Sequence, residues 1–343
     1  MSYLEDLIEE VNKTHPGLGE LVATCQIVVK AKKMMLVVSP SGCGKSTAMR
    51  IIGKHTPEAI MPDKFSLTGI HSRVEVLSNF NSVVIVDDMA TTETKEARRA
   101  TITCLVALTY MHRIEICMAY GDYTIDNFNG SALVGIQPYL LRELMYSENW
   151  QVNTRDKTLR YYHLKRPIKP NEELLTMKLE YGINIDKVKD FEPNYQDRNW
   201  QNLTRLGHCQ WSNARVHEHV KAYLKAISAL ENRVEVVSTD YDLLCRLLAP
   251  MAIEQIVTSK EELESPTELN KDLLAMLTEY YTYNNAMSLG QIALDFGLGL
   301  SSCRKIMSSQ NGYWQQVSKS PTIYKASAEL VKVLKHYNLV IKE

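Results

Sequence analysis

The run Met34-Met35-Leu36-Val37-Val38-Ser39-Pro40-Ser41-Gly42-Cys43-Gly44-Lys45-Ser46-Thr47-Ala48-Met49 decides the fold of this chain. Its first five residues are apolar and read as a buried strand, and Ser46 to Gly53 reads as a helix, so a short glycine-bearing loop joins strand to helix. The loop fills most of the pattern G-x-x-x-x-G-K-[ST], with Gly42, Gly44, Lys45 and Ser46 in place and Ser39 where a glycine is usual. In that pattern backbone N–H groups curl around phosphate oxygens, the lysine reaches the outer phosphates and the hydroxyl binds magnesium. Ser39 has only to turn the chain out of the strand, which a small residue does within the allowed backbone region. Ser41, Gly42, Cys43, Gly44, Lys45, Ser46 and Thr47 are the candidate nucleotide-binding residues, with Ser46 a candidate magnesium ligand.

A magnesium nucleotide site needs a carboxylate at the end of a neighbouring strand, and Asn81-Ser82-Val83-Val84-Ile85-Val86-Asp87-Asp88 supplies two. Four β-branched apolar residues in a row predict an interior parallel strand, with the acids at its carboxyl end, where open α/β sheets bind ligands. Asp87 is expected to hold magnesium through water and Asp88 to polarise the attacking water. Asp88 also suits the cap of a helix beginning near Thr92.

SPSGCGKST and VVIVDD together resemble the P-loop NTPases, and within them the additional-strand ATPases that include the AAA+ and helicase-like branches, over roughly residues 20 to 166. The resemblance implies an α/β fold with a three-layer α/β/α core, ATP and Mg2+ as ligands, ATP hydrolysis, and work as a homo-oligomer. In that family the second acid is commonly glutamate, so Asp88 is one methylene shorter. The family also places a γ-phosphate sensor after a later strand. Ser131 to Ile136 reads as that strand, and Gln137 takes the position, although a glutamine before Pro138 also suits an ordinary turn. An arginine finger follows the sensor strand in AAA+ rings, which makes Arg142 and Arg155 its candidates.

Around these motifs, residues 3 to 14 and 17 to 32 look helical, Ala59-Ile60 forms a short strand, Thr68 to Phe80 and Thr92 to Met111 form helices, and Ile114 to Met118 with Tyr123 to Ile125 suggests an inserted hairpin. Tyr139 to Tyr146 reads as a helix and Thr158 to Leu164 as a strand. The ATPase unit spans 1 to 166, because Pro167 and Pro170 stop regular structure. A helical region follows over 167 to 260, in which Val216, Val220, Leu224, Ile227 and Leu230 recur at helical spacing. His217 and His219 lie two apart and point to different helix faces, so both read as surface residues rather than metal ligands. Thr258 to Asn270 reads as an acidic linker.

Residues 270 to 343 read as a winged helix-turn-helix. Leu273 to Tyr281, Leu289 to Leu298 and Ser301 to Ser309 give three helices, and Tyr313 to Val317 with Thr322 to Lys325 gives the strands of a wing. Residues 271 to 343 hold eight Lys/Arg against five Asp/Glu, a local net of +3. DNA contact would fall to Ser301, Ser302, Arg304 and Lys305 on the third helix and to Lys319 in the wing. Winged helices also dock proteins.

The bulk composition narrows the rest. With 45% hydrophobic residues over 343 positions the chain buries a substantial core. No apolar run approaches the roughly 18 to 20 residues of a membrane span, and the start MSYLEDLIEE is acidic, so a cytoplasmic location is expected. Cys25, Cys43, Cys104, Cys117, Cys209, Cys245 and Cys303 form no C-x-x-C pair, which argues against a disulfide framework or zinc ribbon. A net charge of −1 excludes bulk coating of nucleic acid and leaves local patches as the route to it. The expected function is an oligomeric DNA-associated ATPase, a motor, helicase-like enzyme or loader. A small-molecule or nucleotide kinase and an ATP-switched regulator are the alternatives. A transporter ATPase is disfavoured because no LSGGQ-like stretch is present.

Overall fold

A central strand buried on both faces organises the structure. The computed structural model describes residues 2–39, 41–62, 69–70, 72–92, 94–118, 121–145, 150, 154–163, 178–252, 254, 287–290, 293, 300–309 and 314–328. Helices α1 (Tyr3–Thr14) and α2 (Gly19–Lys30) lead into strand β1 (Met34–Val38), all five of whose residues are buried. After helix α3 (Lys45–His55) and the single turn α4 (Val74–Leu77) comes β2 (Val83–Val86), then α5 (Lys95–Met111) and the pair β3 (Ile114–Met118) and β4 (Gly121–Ile125). Strand β5 (Ser131–Ile136), helix α6 (Pro138–Met145) and strand β6 (Thr158–Tyr162) complete this part.

Four strands form one parallel sheet in the order β2-β5-β1-β6, and Ile60 adds a parallel bridge to Val84 beyond β2. Met34 to Val38 pair in register with Ala132 to Ile136 on one side and Thr158 to Tyr162 on the other. Alternation then sorts the side chains. Met34, Leu36 and Val38 join the apolar cluster that holds Ile102, Leu105 and Leu108 of α5, whereas Met35 and Val37 join the one that holds Met49 and Ile52 of α3. The sheet is thus covered by helices on both faces, which is why β1 and β2 read as unbroken apolar runs.

Helices α7 (Arg198–Gly207), α8 (Asn213–Leu230) and α9 (Ser238–Leu248) share that second cluster with α1 and α2. The helical stretch therefore builds no core apart from the sheet. Two polar ties fix it there. The Glu231 carboxylate accepts from the Tyr3 and Leu4 backbone N–H groups at 3.0 and 2.9 Å, capping the start of α1. Gln210 closes the free edge of β6: its side-chain amide accepts from Arg160 N at 2.8 Å and donates to Arg160 O at 2.6 Å, taking the place of a neighbouring strand. Arg160, fully buried, forms a fork with Glu254 at 2.9 and 2.7 Å.

The last described elements are β7 (Met287–Ser288), helix α10 (Leu300–Ser309), β8 (Trp314–Lys319) and β9 (Thr322–Ala326), whose strands form an antiparallel sheet in the order β7-β9-β8. The expected hairpin at 114 to 125 forms, with its second strand starting at Gly121 rather than Tyr123. The helix expected over 68 to 80 is interrupted: among its described residues Gly69, Ile70 and Val74–Leu77 are helical, with a turn at Ser72 and Arg73. The expected linker at 258 to 270 and helix at 273 to 281 lie outside the described residues.

Candidate active site

The carboxyl ends of β1, β2 and β5 bring together Ser39 and the loop after it, the pair Asp87 and Asp88, and Gln137. Helix α3 starts at Lys45, with Gly44 as its N-cap at φ 83 and ψ 8 and with no side chain capping it. Its first N–H groups therefore have no side-chain acceptor and suit an anion. Gly42 is also left-handed, at φ 80. The left-handed angle at Gly44 favours glycine, and a Cβ there would also lie 2.9 Å from the end of the Leu18 side chain.

Lys45, only 5% exposed, donates from Nζ to Asp88 Oδ2 at 2.9 Å, and Gln137 Nε2 donates to the same oxygen at 3.4 Å. Asp88 Oδ1 accepts from Ala90 N at 2.9 Å and caps the short turn Met89–Thr91. One Asp88 oxygen thus caps a short turn, not the helix expected near Thr92, and the other faces Lys45 and Gln137. The long helix begins later than Thr92, at Lys95, because Thr94 caps it by accepting from Ala97 N at 3.1 Å. Gln137 lies in the turn before α6, its carbonyl accepting from Leu141 N at 3.0 Å, so its turn role and its place beside Asp88 also coexist.

Asp87 Oδ2 accepts from Arg50 Nη2 at 3.1 Å, while its Oδ1 is buried with no hydrogen-bond partner. An unpartnered buried carboxylate oxygen at the carboxyl end of β2, on a residue paired with Arg50 of α3, fits a hard cation, because oxygen donors of this kind suit Mg2+. Gly135 sets the position of Asp87, since a Cβ there would overlap the Asp87 carbonyl. Among the described residues no group of three or more His, Cys, Asp or Glu is arranged for a metal.

Two side chains that the sequence reading did not single out also belong here. Arg50 stands five residues after Lys45 on α3, and only the order of the strands brings it to Asp87. His163 follows β6, is 2% exposed, and its Nε2 lies 2.9 Å from the carbonyl oxygen of Cys43 in the glycine loop. A carbonyl only accepts, so Nε2 carries the proton and donates. His163 N donates to Val38 O at 2.8 Å, continuing the strand pairing up to the loop.

The arginines are placed differently. Arg142 sits on α6, just after Gln137 and Pro138. Arg155 opens a short turn ahead of β6, and since Thr158 pairs with Met34, it lies at the amino edge of the sheet. A five-residue strand separates that edge from the loop by about 15 Å. Of the other expected contacts, Ser301, Arg304 and Lys305 are exposed on α10, Ser302 shares that helix, and Lys319 is exposed at the end of β8.

His219 corrects the surface reading. It is fully buried, with Nε2 2.9 Å from the Asp156 carbonyl and its ring 4.5 Å from Trp211. Burial, reinforced by Lys33 and Arg215, pushes its pKa down to about 4. His217 is half-buried against Trp200.

A scan against protein-family models finds no matching family, and a search of curated proteins finds no similar sequence. No helix among the described residues is long and apolar enough to cross a membrane.

Proposed function

We propose that this chain is an ATP-hydrolysing, oligomeric, DNA-associated ATPase of the additional-strand class. The observation that carries the reading is the single carboxylate of Asp88 held between Lys45 and Gln137, beside a helix start with no side-chain cap. The strand order supports it as well. Between β1, which leads into the loop, and β2, which ends in the acids, lies β5, one additional strand, as the name of the class describes.

In this reading the N–H groups of Gly42 to Ser46 and the ammonium of Lys45 bind the phosphates of ATP. Once the γ-phosphate draws Lys45 away, Asp88 Oδ2 is free to accept a proton from the attacking water, and Gln137 holds that carboxylate toward the phosphate. Bound magnesium would neutralise phosphate charge, and Ser46 and Asp87 are the residues that would hold it. Arg142 or Arg155 of a neighbouring subunit serves as the finger, and the amino-edge position of Arg155 suits action in trans rather than on its own site.

The reading assigns residues 1 to 166 to the ATPase unit, 167 to 260 to a helical region and 270 to 343 to a winged helix. DNA contacts fall to Ser301, Ser302, Arg304, Lys305 and Lys319, and the location is cytoplasmic. Helix α10 followed by the β8–β9 hairpin supports the winged helix. Release of phosphate from ATP, with and without DNA, tests the reading. Transfer of the γ-phosphate to a nucleoside monophosphate instead would make the chain a kinase, and tight ATP binding without turnover would make it a switch.

A further inference from the structure

The amino edge of the sheet, the end away from the glycine loop, gathers positive charge around one aromatic ring. Tyr110, at the end of α5, has Arg215 Cζ at 4.6 Å, Lys157 Nζ at 5.1 Å and Lys33 Nζ at 5.9 Å from its ring centre. The cations come from three separate segments: Lys33 just before β1, Lys157 just before β6, and Arg215 in the first turn of α8. Glu218 pairs with both Lys33 at 2.8 Å and Arg215 at 2.5 Å. One carboxylate against three cations leaves the group at a net of +2. Among the described residues Lys157 has no carboxylate partner.

Three cations held this close repel one another, and the ring attracts each through its face. The fold keeps them together and partly open to solvent: the side chains of Lys33 and Arg215 are 17% and 30% exposed. His219 lies behind, its basicity depressed mainly by burial, with Lys33 and Arg215 lowering it further and Glu218 opposing them. The ring is already faced by cations, so it offers no open platform for stacking a base. What the group offers a ligand is ammonium and guanidinium donors, and the complement is an oxyanion.

We propose that Lys33, Lys157 and Arg215 around Tyr110 form a second phosphate-binding site at the amino edge of the sheet, on a surface distinct from the nucleotide site. The phosphate is that of a nucleic-acid backbone or a free phosphate. The site goes beyond the hydrolysis reading, and only the nucleic-acid source rests on the proposed DNA association.

The test uses the full chain and two probes. A fluorescein-labelled oligonucleotide is titrated by anisotropy over a range of salt, and inorganic phosphate is scored by its stabilisation against heat relative to chloride at equal ionic strength. Lys157→Glu and the milder Lys157→Gln are compared with wild type and with Arg304→Glu on α10. A backbone source requires Lys157→Glu to weaken oligonucleotide binding about 10-fold and Lys157→Gln about 3-fold, with the slope of log K against log salt falling by about 1. A free-phosphate source requires unchanged oligonucleotide binding and a smaller stabilisation by phosphate in both Lys157 variants; the glycine loop contributes equally in all proteins, so the difference reports this site. Both outcomes support the proposal. If both variants match wild type with both probes, it is overturned, and oligonucleotide binding lost only in Arg304→Glu then leaves the DNA reading intact. Wild type that ignores both probes overturns it together with DNA association. Binding of a poly-glutamate peptide as tight as that of the oligonucleotide overturns the assignment to phosphate.

Discussion

Lys45 and Asp88 form an ion pair of 2.9 Å between the first turn of α3 and the end of β2, and both side chains are mostly shielded from water. The pair places the cation that would bind phosphate on the anion that would activate water. Each neutralises the other until a stronger anion arrives. Lys45→Ala removes the phosphate charge and leaves Asp88 without its main partner, so the expected loss in hydrolysis is about 100- to 1,000-fold, the size seen when one preorganised charge donor is removed. Asp88→Asn is expected to leave nucleotide affinity within a few-fold while turnover falls by a similar factor, which single-turnover kinetics beside binding titrations separates.

The bond from His163 to the Cys43 carbonyl braces the glycine loop against β6. Replacing His163 by Leu removes this donor from the buried Cys43 carbonyl, whereas Gln keeps a donor at nearly the same reach. Nucleotide affinity is expected to fall about 10-fold in His163→Leu and to recover most of the way in His163→Gln. Equal affinities for the two variants would remove His163 from the account.

Arg160 and Glu254, both buried, tie β6 to the segment after α9. Glu254→Leu strands a buried guanidinium, so unfolding in denaturant is expected to show a loss of about 3 to 5 kcal/mol. The double variant Arg160→Leu/Glu254→Leu removes both charges and is expected to be closer to wild type than either single variant. Simple additivity would show that the pair is not coupled.

His219 has a folded pKa near 4 against an ordinary value of 6.5. Because the folded value is depressed, the unfolded chain takes up the proton first. Stability is therefore expected to be at its plateau above about pH 6.5, to fall as pH drops toward 4, and to level below it. The loss from this group is roughly 3 kcal/mol. Thermal or denaturant unfolding across that range should show a flatter profile in His219→Gln, provided the variant folds.

The sequence makes the strand, loop and helix around Gly42 and Gly44 legible because apolar runs and glycines leave marks at short range. Asp87 and Asp88 were equally legible, since a strand of four β-branched residues must end somewhere and acids at its end are conspicuous. Arg50 and His163 were not legible. Their roles depend on which strands are neighbours: β5 between β1 and β2, and β6 on the other side of β1. No local pattern encodes that order. His219 misled for a related reason, since its surroundings, Trp211 and the Asp156 carbonyl, come from outside its own helix. Arg155 read as a finger candidate from its place after the sensor strand, and the parallel direction of β6 puts it at the amino edge of the sheet.

Gly135 gives a direct check on how the sheet places Asp87. Gly135→Ala forces a methyl against the Asp87 carbonyl and the Met49 side chain. Hydrolysis is expected to fall about 10-fold or more, with a loss of stability of about 1 to 3 kcal/mol from overpacking. Unchanged turnover would mean that the exact placement of Asp87 does not matter.

The central claim is hydrolysis at the Lys45 and Asp88 site, and the most direct measurement is steady-state phosphate release from ATP by wild type and Lys45→Ala. It is run across protein concentration, with and without single- and double-stranded DNA. The account predicts magnesium-dependent release by wild type that rises cooperatively with protein concentration and with DNA, and is nearly abolished in Lys45→Ala. Equal rates in the two proteins, or no release from wild type under any of these conditions, would contradict it.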